Sequence, residues 1–339
     1  MKHFGRVVIT CLVVLICPRY IHAQAKEEVV KGAKKEGKLI YYSALTVREG
    51  LELAAAFEKK YPFIKTEIFR LGADKMRTRI LIEARAGRHL FDVTSFNVVD
   101  IGILQHAGIL GKYRSKETEA IPKGLRDEQG FWTAIYMRQF VLTYHSWMIA
   151  KTEAPKDWWD LLDPKWKGKL GMDRDDIEWY AALAIHWGRE KARKLLRGFA
   201  SQKPVINRGH NLIAQLNIAG EFPLSIGYGH QILAMKEKGA PLDFVDTTDP
   251  VVTSPTVIAL SANAPNPNAA QLFADFVLSL EGQTILKGFD RVTSRADVSP
   301  RSPRLNPQKL KSLFVSPQIF DRYEEYQTEY YEILGISRR

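Results

Sequence analysis

The chain contains very little cysteine: of its 339 residues, two are cysteine, Cys11 and Cys17. Both lie within the first 25 residues, so the rest of the chain has no thiol. This absence excludes a disulfide framework, a thiolate metal site and a cysteine nucleophile from residues 26–339. A chain of this length can bury cores large enough to be stable without disulfides, and at about 150 residues per domain it predicts two domains.

The uncharged, mostly apolar run near the N-terminus is too short to span a membrane. It covers Val7–Cys17, whereas a spanning helix needs about 20 apolar residues. Because Lys2 and Arg6 precede this run and an Ala-x-Ala site follows it, we interpret residues 1–25 as a cleaved secretory signal peptide and expect a periplasmic protein. Lipoprotein processing at Cys17 is the alternative, but the residue before this cysteine is large where a small one is needed.

The sequence has no dense tract of basic residues, although its formal net charge is +11. Removal of residues 1–25, which carry three basic residues and no acidic one, leaves +8. Because the basic residues are scattered, we do not expect nucleic acid as a partner. A basic balance is compatible with an anionic ligand, with attraction to an anionic membrane surface, or with solubility alone.

Motifs of the common enzyme classes are also absent. The chain has no G-x-S-x-G nucleophile elbow, no H-E-x-x-H zinc motif, no P-loop and no dinucleotide-binding glycine pattern. No spacing of histidines and carboxylates forms a metal or triad signature. The sequence therefore predicts a protein that is not an enzyme, with no catalytic residue, no cofactor and no metal site.

What the sequence does contain is an alternation of apolar strands and amphipathic helices. In the first third we predict strands at Lys38–Tyr42, Ile64–Phe69 and Phe91–Ser95 and helices at Arg48–Lys60, Lys75–Ala86 and Ile101–His106. This spacing is typical of βαβ units around a mostly parallel sheet. In such a sheet ligands bind beyond the carboxyl ends of the strands.

A second α/β set follows in the remainder of the chain. We predict strands at Phe140–Tyr144, Pro223–Tyr228, around Phe244 and at Thr253–Leu260, and helices at Trp179–His186, Ala192–Ser201, Asn211–Gly220 and from Pro307 to Leu334. The strand at Phe140–Tyr144 could carry the chain out of a first lobe. The predicted fold class is therefore α/β, with two lobes joined by crossing strands.

The segment from Val257 to Gln283 is the most informative in the chain. Its strand leads to Asn266, which suits a helix N-cap, and to Pro267, which suits the first helical position. The apolar side chains that follow fall on one face of a helix; they are Ala269, Leu272, Phe273, Phe276, Val277 and Leu280. The pattern predicts a strand followed by a helix that faces the core.

This segment and several others resemble one protein family. The other segments are AAFEKKYP (55–62), FDV (91–93), LQHAGIL (104–110), DLLDPKWKGKLGMD (160–173) and AGEFPLSIGYGH (219–230). Their order and spacing resemble the extracellular solute-binding proteins of bacterial ABC importers, in the branch that includes ferric-ion binders. The resemblance implies a two-lobed periplasmic-binding-protein-like II fold. Such a protein closes on a small-molecule ligand and delivers it to an ABC permease in the inner membrane.

The resemblance also implies a division of the chain. Residues 26–140 together with 250–304 are expected to form the first lobe, and residues 141–249 the second. C-terminal helices in residues 305–339 are expected to pack on the lobes. A monomer is the simplest expectation for this architecture.

Ferric binders of this branch are expected to hold Fe³⁺ with two adjacent tyrosines, a histidine and a carboxylate. In this sequence Thr46 stands at the histidine position and Asn97 at the carboxylate position. His230-Gln231 stands at the tyrosine pair, and Tyr228 is offset from it by two residues. Because Fe³⁺ prefers phenolate and carboxylate oxygens, we do not expect ferric binding by the family's mechanism.

The predicted ligand-binding residues lie in the strand-end turns or at positions aligned with the family's site. They are Ser43, Thr46, Thr94, Ser95, Asn97, Arg138, Asp173, Arg208, Tyr228 and His230. The hydroxyls suit carboxylate or phosphate oxygens, although helix capping is their commoner role. Arg138, aligned with an anion-facing arginine of iron-binding relatives, offers such an anion a planar fork, and Arg208 lies beside a helix N-terminus that suits one. A solvated surface arginine and an ordinary helix cap are the respective alternatives.

Three functional hypotheses follow. The leading one is periplasmic capture of a small polar solute, anionic or zwitterionic, by hinge closure of the two lobes. The second keeps the fold but takes a polyamine or similar cation, held by Asp173 with Trp179 and Tyr180, although Asp173 could instead pair with an arginine. The third is a ligand-sensing partner of a membrane receptor, which the sequence does not separate from transport.

Overall fold

A computed structural model describes residues 18–307, 309–315 and 317–337. The α-helices are α1 (Pro18–Glu36), α2 (Val47–Lys60), α3 (Ala73–Arg85), α4 (Val98–His106), α5 (Ile177–Trp187), α6 (Arg189–Ser201), α7 (His210–Ile218), α8 (Gly229–Glu237), α9 (Pro267–Leu278), α10 (Leu280–Gly288) and α11 (Tyr323–Leu334). The strands are β1 (Lys38–Ser43), β2 (Lys65–Arg70), β3 (Val93–Asn97), β4 (Leu110–Gly111), β5 (Thr133–His145), β6 (Leu170–Asp173), β7 (Val205–Asn207), β8 (Leu224–Tyr228), β9 (Leu242–Phe244), β10 (Val251–Ser261), β11 (Val292–Thr293) and β12 (Ser312–Phe314).

Most of the predicted signal peptide, residues 1–17, lies outside the described residues, so the signal peptide stays a prediction. From Pro18 the described chain forms α1, which continues to Glu36. Within the described part of the chain, no helix is long and apolar enough to cross a membrane.

The strands follow the order β2-β1-β3-β10-β5-β8-β6-β7. β1 is parallel to β2 and to β3, which is the βαβ arrangement predicted from the sequence. At the other end β6 is parallel to β7 and β8. The antiparallel strands β10 and β5 lie between these two groups. We call β1–β4 and β10–β12 with the helices on them the first lobe, and β6–β9 with their helices the second lobe.

Strand β5 passes from one lobe to the other. Its residues up to Gln139 pair with β10, and its residues from Phe140 pair with β8. The predicted strand, which began at Phe140, was too short. The polar side chains before it do not end the strand because they have partners inside the protein: Gln139 donates to the Leu305 carbonyl at 2.9 Å and Arg138 to the Ser254 hydroxyl at 2.8 Å. The lobe boundaries predicted from the sequence, with residues 26–140 and 250–304 in the first lobe and 141–249 in the second, stay a prediction. The change of pairing partner between Gln139 and Phe140 supports the boundary near residue 140.

Each lobe has its own aromatic cluster. In the first lobe the Phe273 ring centroid lies 4.9 Å from that of Tyr41 and 5.0 Å from that of Phe57. In the second lobe the Trp158 and Trp179 centroids are 5.2 Å apart. Burial of aromatic rings contributes much of the free energy that stabilises such cores. Trp179 and its neighbour Tyr180, which the polyamine hypothesis placed in a binding site, are both fully buried in the second lobe.

The start of α9 differs from the sequence interpretation. Pro267 occupies the first turn as predicted, but the Asn266 side chain does not cap the helix and donates instead to Asp92 at 2.9 Å. The cap comes from Glu36 at the end of α1, whose carboxylate accepts the Asn268 and Ala269 N–H groups at 3.1 and 2.8 Å. A charged acceptor is favoured there because the helix dipole is positive at its amino end.

The far end of that helix differs as well. The predicted apolar stripe included Leu280, but α9 ends at Leu278 and Ser279 caps a new helix by accepting the Gly282 N–H. Leu280 is therefore in the first turn of α10, and its side chain is 55% exposed. The remaining members of the stripe are buried.

The C-terminal region is not entirely helical, contrary to the prediction. Residues 312–314 form β12, which pairs in parallel with residues 251–253 of β10. Along this stretch β12 and its flanking residues pair the backbone N–H and C=O groups on one edge of β10, which a helix would leave without partners. The predicted helix is confirmed for its last part, α11.

Candidate functional site

The carboxyl ends of strands from both lobes meet at one cleft. β1 and β3 end there in the first lobe, and β6 and β8 end there in the second. The cleft holds two adjoining cavities of about 290 Å³ and about 570 Å³, which we call the smaller and the larger cavity. Asn97, Arg138, Asp173, His210 and Tyr228 line both cavities. Ligands of open α/β sheets bind at this position.

The structure brings most of the predicted ligand-binding residues to this cleft. Those that line it are Thr46, Asn97, Arg138, Asp173, Arg208, Tyr228 and His230. Ser43, Thr94 and Ser95 are buried within the first lobe, and their hydroxyls make hydrogen bonds there. These three residues therefore stabilise the strand ends from inside the first lobe and do not line either cavity.

Two of the cleft residues cap helices, which was the alternative role considered for the hydroxyl of Thr46 but not for Asn97. Thr46 accepts the Glu49 N–H at 3.4 Å and caps α2. Asn97 accepts the Asp100 N–H at 2.8 Å and caps α4. Their side chains fix the start of each helix at the cleft edge, so the first turns of both helices face the cavities.

Arg138 is not a solvated surface arginine, since its side chain is 14% exposed and has three partners. It donates to the Tyr228 hydroxyl at 2.9 Å and to the Ser254 hydroxyl at 2.8 Å, and it lies 2.8 Å from a carboxylate oxygen of Glu178. Its Nε has no hydrogen-bond partner. Sequence reasoning missed Glu178, which belongs to the first turn of α5 and carries no motif.

The second lobe contributes a buried cluster of two carboxylates and an imidazole. His210 Nε2 lies 2.8 Å from Asp176 Oδ1 and 3.8 Å from Asp173 Oδ2. Burial raises the pKa of Asp176 to about 6, although His210 partly opposes the shift. Burial alone would lower the pKa of His210, but the neighbouring carboxylates outweigh it and raise that pKa. Asp176 stands immediately before α5 but makes no capping hydrogen bond.

Arg208 lies at the outer edge of this cluster. Its side chain is 55% exposed and forms an ion pair with Asp175 at 3.0 Å. The helix beside it, α7, begins after Gly209 and has no side-chain cap. Helix α8 likewise begins at the cleft, after Tyr228, without a side-chain cap. The amino ends of these two helices therefore present N–H groups and positive dipole ends to the cleft.

The first lobe contributes a buried ion pair that sequence reasoning missed. Arg291 binds Glu49 through two hydrogen bonds of 2.5 and 3.0 Å, and its guanidinium carbon lies 4.5 Å from the Tyr136 ring centroid. Arg291 also contacts His230 of the second lobe. Burial, with the Arg291 charge beside it, holds the pKa of His230 well below its usual value.

The two cavities differ in charge. The larger cavity is lined by four cationic side chains, Arg70, Arg138, Lys238 and Arg291, and by two carboxylates. The smaller cavity is lined by more carboxylates than cations. Each of its arginines forms an ion pair with an acid of the same cavity. The lining of the larger cavity therefore carries an excess of positive charge, whereas that of the smaller cavity carries an excess of negative charge.

Comparison with known proteins decides the family. The profile of the family described as bacterial extracellular solute-binding protein matches residues 92–312, which is more than half of the chain. The chain belongs to this family. It is a periplasmic solute-binding protein of the ABC importer type, and the family predicted from the sequence is confirmed.

Solved structures of similar proteins share the fold of this solute-binding protein. Iron-bound HitA from Pseudomonas aeruginosa has a TM-score of 0.79 at 23% identity, covering 87% of this chain and 99% of that one. AfuA from Actinobacillus pleuropneumoniae, with exogenous fructose-6-phosphate bound, has a TM-score of 0.78 at 23% identity, covering 88% and 99%. The two-lobed fold is thus confirmed.

Among curated proteins, the solute-binding protein is 24% identical to iron uptake protein A1 of Synechocystis sp. over 263 residues, or 72% of each chain. At the positions expected to hold iron, this chain places Thr46, Asn97 and His230 in the cleft. None of these side chains is a phenolate or a carboxylate, the oxygen donors that Fe³⁺ prefers.

Proposed function

We propose that this protein captures a small polar solute through an anionic group, a carboxylate or a phosphate, that binds in the larger cavity. The observation that carries the proposal is the excess of cationic side chains there: Arg70 and Lys238 line this cavity, and among the described residues neither forms an ion pair with a carboxylate. Charges that a fold leaves without partners in a cleft favour a ligand of opposite sign.

The backbone supports the same assignment. The uncapped amino ends of α7 and α8 border the larger cavity at His210 and His230. N–H groups at helix amino ends bind carboxylate and phosphate oxygens well, because the helix dipole adds to their hydrogen bonds. An anion in this cavity would therefore meet side-chain charge from the first lobe and backbone N–H groups from the second.

Such a ligand would bias the two lobes toward a closed arrangement. Arg70 belongs to the first lobe and Lys238 follows α8 in the second, so one anion could contact both only when the cleft is closed. A ligand shifts a conformational equilibrium by the contacts it makes in one state and not in the other. Closure of this kind would present a different surface to the ABC permease.

The relatives support more than one ligand chemistry. HitA was solved with iron and AfuA with a sugar phosphate. This chain has none of the family's expected iron ligands at the four positions, which are occupied by Thr46, Asn97, His230 and Gln231, and this favours the phosphate type of ligand over Fe³⁺. The polyamine alternative loses its aromatic partners, since Trp179 and Tyr180 are buried in the second lobe.

The wider proposal is that the protein acts as a monomer, is exported by a cleaved signal peptide, has no catalytic activity and does not bind nucleic acid. The lack of a dense basic tract and of enzyme motifs in the sequence supports the last two points. A ligand-sensing role beside a membrane receptor is the competing function. Loss of solute uptake when the gene is deleted would favour transport, and loss of a transcriptional response alone would favour sensing.

The test is a thermal-shift screen in EDTA-treated protein against organic acids, phosphorylated sugars, polyamines and Fe³⁺. An anion at about 100 times its Kd stabilises the folded state by about 2.7 kcal/mol, which gives a clear rise in Tm. Lys238→Ala should reduce the shift, whereas Lys151→Ala, an exposed lysine outside the cleft, should leave it unchanged. A shift with polyamines or Fe³⁺ but with no anion would overturn the proposal.

A further inference from the structure

We propose that Asp173, Asp176 and His210 form a binding site for a divalent first-row transition-metal ion in the second lobe. One potential ligand atom from each of the three residues lies within 4.8 Å of the others, and all three residues are buried. The proposal goes beyond solute capture and does not rest on it, because it concerns a different chemical species, although Asp173 and His210 also line the larger cavity.

The distances between the donor atoms fit a metal ion. Bonds from such an ion to imidazole nitrogen and carboxylate oxygen are about 2.0–2.2 Å, so two ligands lie about 3 Å apart at a right angle and about 3.4 Å apart at a tetrahedral angle. His210 Nε2 is 2.8 Å from Asp176 Oδ1 and 3.8 Å from Asp173 Oδ2. Small side-chain rotations would bring all three donors to bonding distance of one ion.

An unsatisfied group at the same place points independently to a ligand. Oδ2 of Asp176 has no hydrogen-bond partner, although Asp176 is 2% exposed and lines the smaller cavity. A buried carboxylate oxygen without a partner destabilises a folded protein by about 1–3 kcal/mol or more. A cation bound between the carboxylates would give this oxygen a partner and would neutralise negative charge on both aspartates.

The cluster is held in place by its surroundings. The Asp173 carboxylate accepts the Gly209 N–H at 2.9 Å and the Asp175 N–H at 3.1 Å. Partners of this kind orient metal ligands and increase affinity. All of these residues belong to the second lobe, so the site exists without closure of the cleft.

The donor set defines the class of ion. One imidazole nitrogen with carboxylate oxygens suits Zn²⁺, Mn²⁺, Fe²⁺, Co²⁺ or Ni²⁺. Three protein ligands leave coordination positions open toward the smaller cavity, which water would fill.

The test is isothermal titration of EDTA-treated, dialysed protein with ZnCl₂ and MnCl₂, with metal content measured by plasma mass spectrometry after dialysis. We expect one ion per chain. Loss of a residue that only orients a metal ligand weakens a metal site by about 10–100-fold, so Asp176→Asn and His210→Gln, which remove ligands themselves, should each weaken binding at least tenfold. The matched control is His145→Gln, which removes a buried histidine outside the cleft and should bind metal as the wild type does.

A spectroscopic measurement separates ligand loss from misfolding. Co²⁺ bound to the wild type should give a visible absorption band that Asp176→Asn lacks, while the circular dichroism of the two proteins stays the same. Absence of metal binding by the wild type, or unchanged affinity in both variants, would overturn the site. The two proposals can fail separately. The anion screen uses EDTA-treated protein, so its result does not depend on metal binding. The titration with metal ions likewise does not depend on whether an anion shifts Tm.

Discussion

Arg291 of the first lobe contacts His230 of the second lobe across the cleft. The same arginine forms an ion pair with Glu49 of the first lobe, in which Arg291 Nε lies 2.5 Å from Glu49 Oε1. The contact joins the residues that border the larger cavity, so the region proposed to bind an anion is also the place where the lobes touch. It has consequences for both the pH dependence and the stability of the protein.

His230 should make the folded state less stable in mild acid. Its pKa is held well below 6.5 in the folded protein by burial and by Arg291, so it stays neutral there while the unfolded chain binds a proton. Stability present above pH 6.5 is therefore lost as the pH falls below that value. Between pH 7.5 and 5.5 the free energy of unfolding of the wild type should fall by about 1 kcal/mol more than that of His230→Gln. Urea unfolding at the two pH values measures this difference, and equal losses would contradict the account.

Removal of Arg291 should be costly because it leaves a buried charge. Glu49 is 2% exposed, and Arg291→Ala would leave its carboxylate without the guanidinium. Breaking a buried pair in this way typically lowers the free energy of unfolding by about 3–5 kcal/mol. The control is Arg48→Ala, which breaks an exposed pair with Glu52 and should cost less than about 1 kcal/mol. Similar losses in the two variants, measured by urea denaturation, would show that Glu49 is not effectively buried.

Arg138 and Glu178 should behave as one unit. Arg138→Met alone leaves Glu178 buried and unpaired, so we expect a loss of about 3 kcal/mol or more in unfolding free energy. Adding Glu178→Met removes the unpaired charge, and most of the loss should be regained. A double-mutant cycle measures this coupling; additive effects of the two substitutions would contradict it.

Glu36 should stabilise α9 from a distance in the sequence. Glu36→Ala removes the acceptor of the Asn268 and Ala269 N–H groups, and loss of a cap costs about 0.5–2 kcal/mol. Glu28→Ala changes an exposed acid in the same helix, α1, and should have an effect within about 0.5 kcal/mol. Thermal unfolding of the two variants compares them, and an unchanged Tm for Glu36→Ala would rule out this cap.

Periodicity predicted those parts of the fold that local sequence determines. The strands and helices of the first lobe follow from apolar spacing, and Pro267 marks the start of α9 correctly. The cap of α9 was not predictable, because Glu36 reaches it from a helix more than 200 residues earlier. Strand β12 was missed for a similar reason, since its partner, β10, supplies the hydrogen bonds that make it a strand.

The candidate site also contains residues that local sequence predicts and residues that it does not. Turns after β1, β3 and β8 were expected to face a cleft, and Thr46, Asn97 and Tyr228 do so. The ion pair of Arg291 with Glu49 was not predicted, and of the cluster around His210 the sequence predicted Asp173 alone. Glu49 and Arg291, like His210 and the two aspartates, come from separate parts of the chain and come together only when each lobe folds.

The central claim is that the larger cavity binds an anionic group. Isothermal titration of one phosphorylated solute that shifts Tm, beside its neutral counterpart without the phosphate, tests it most directly at pH 7.5 and low salt. The account predicts binding of the phosphorylated compound and at least tenfold weaker binding of the neutral one, since a hydrogen bond to a charged group contributes about 1.5–3 kcal/mol. Equal affinity for the two compounds, or binding of cations alone, would contradict it.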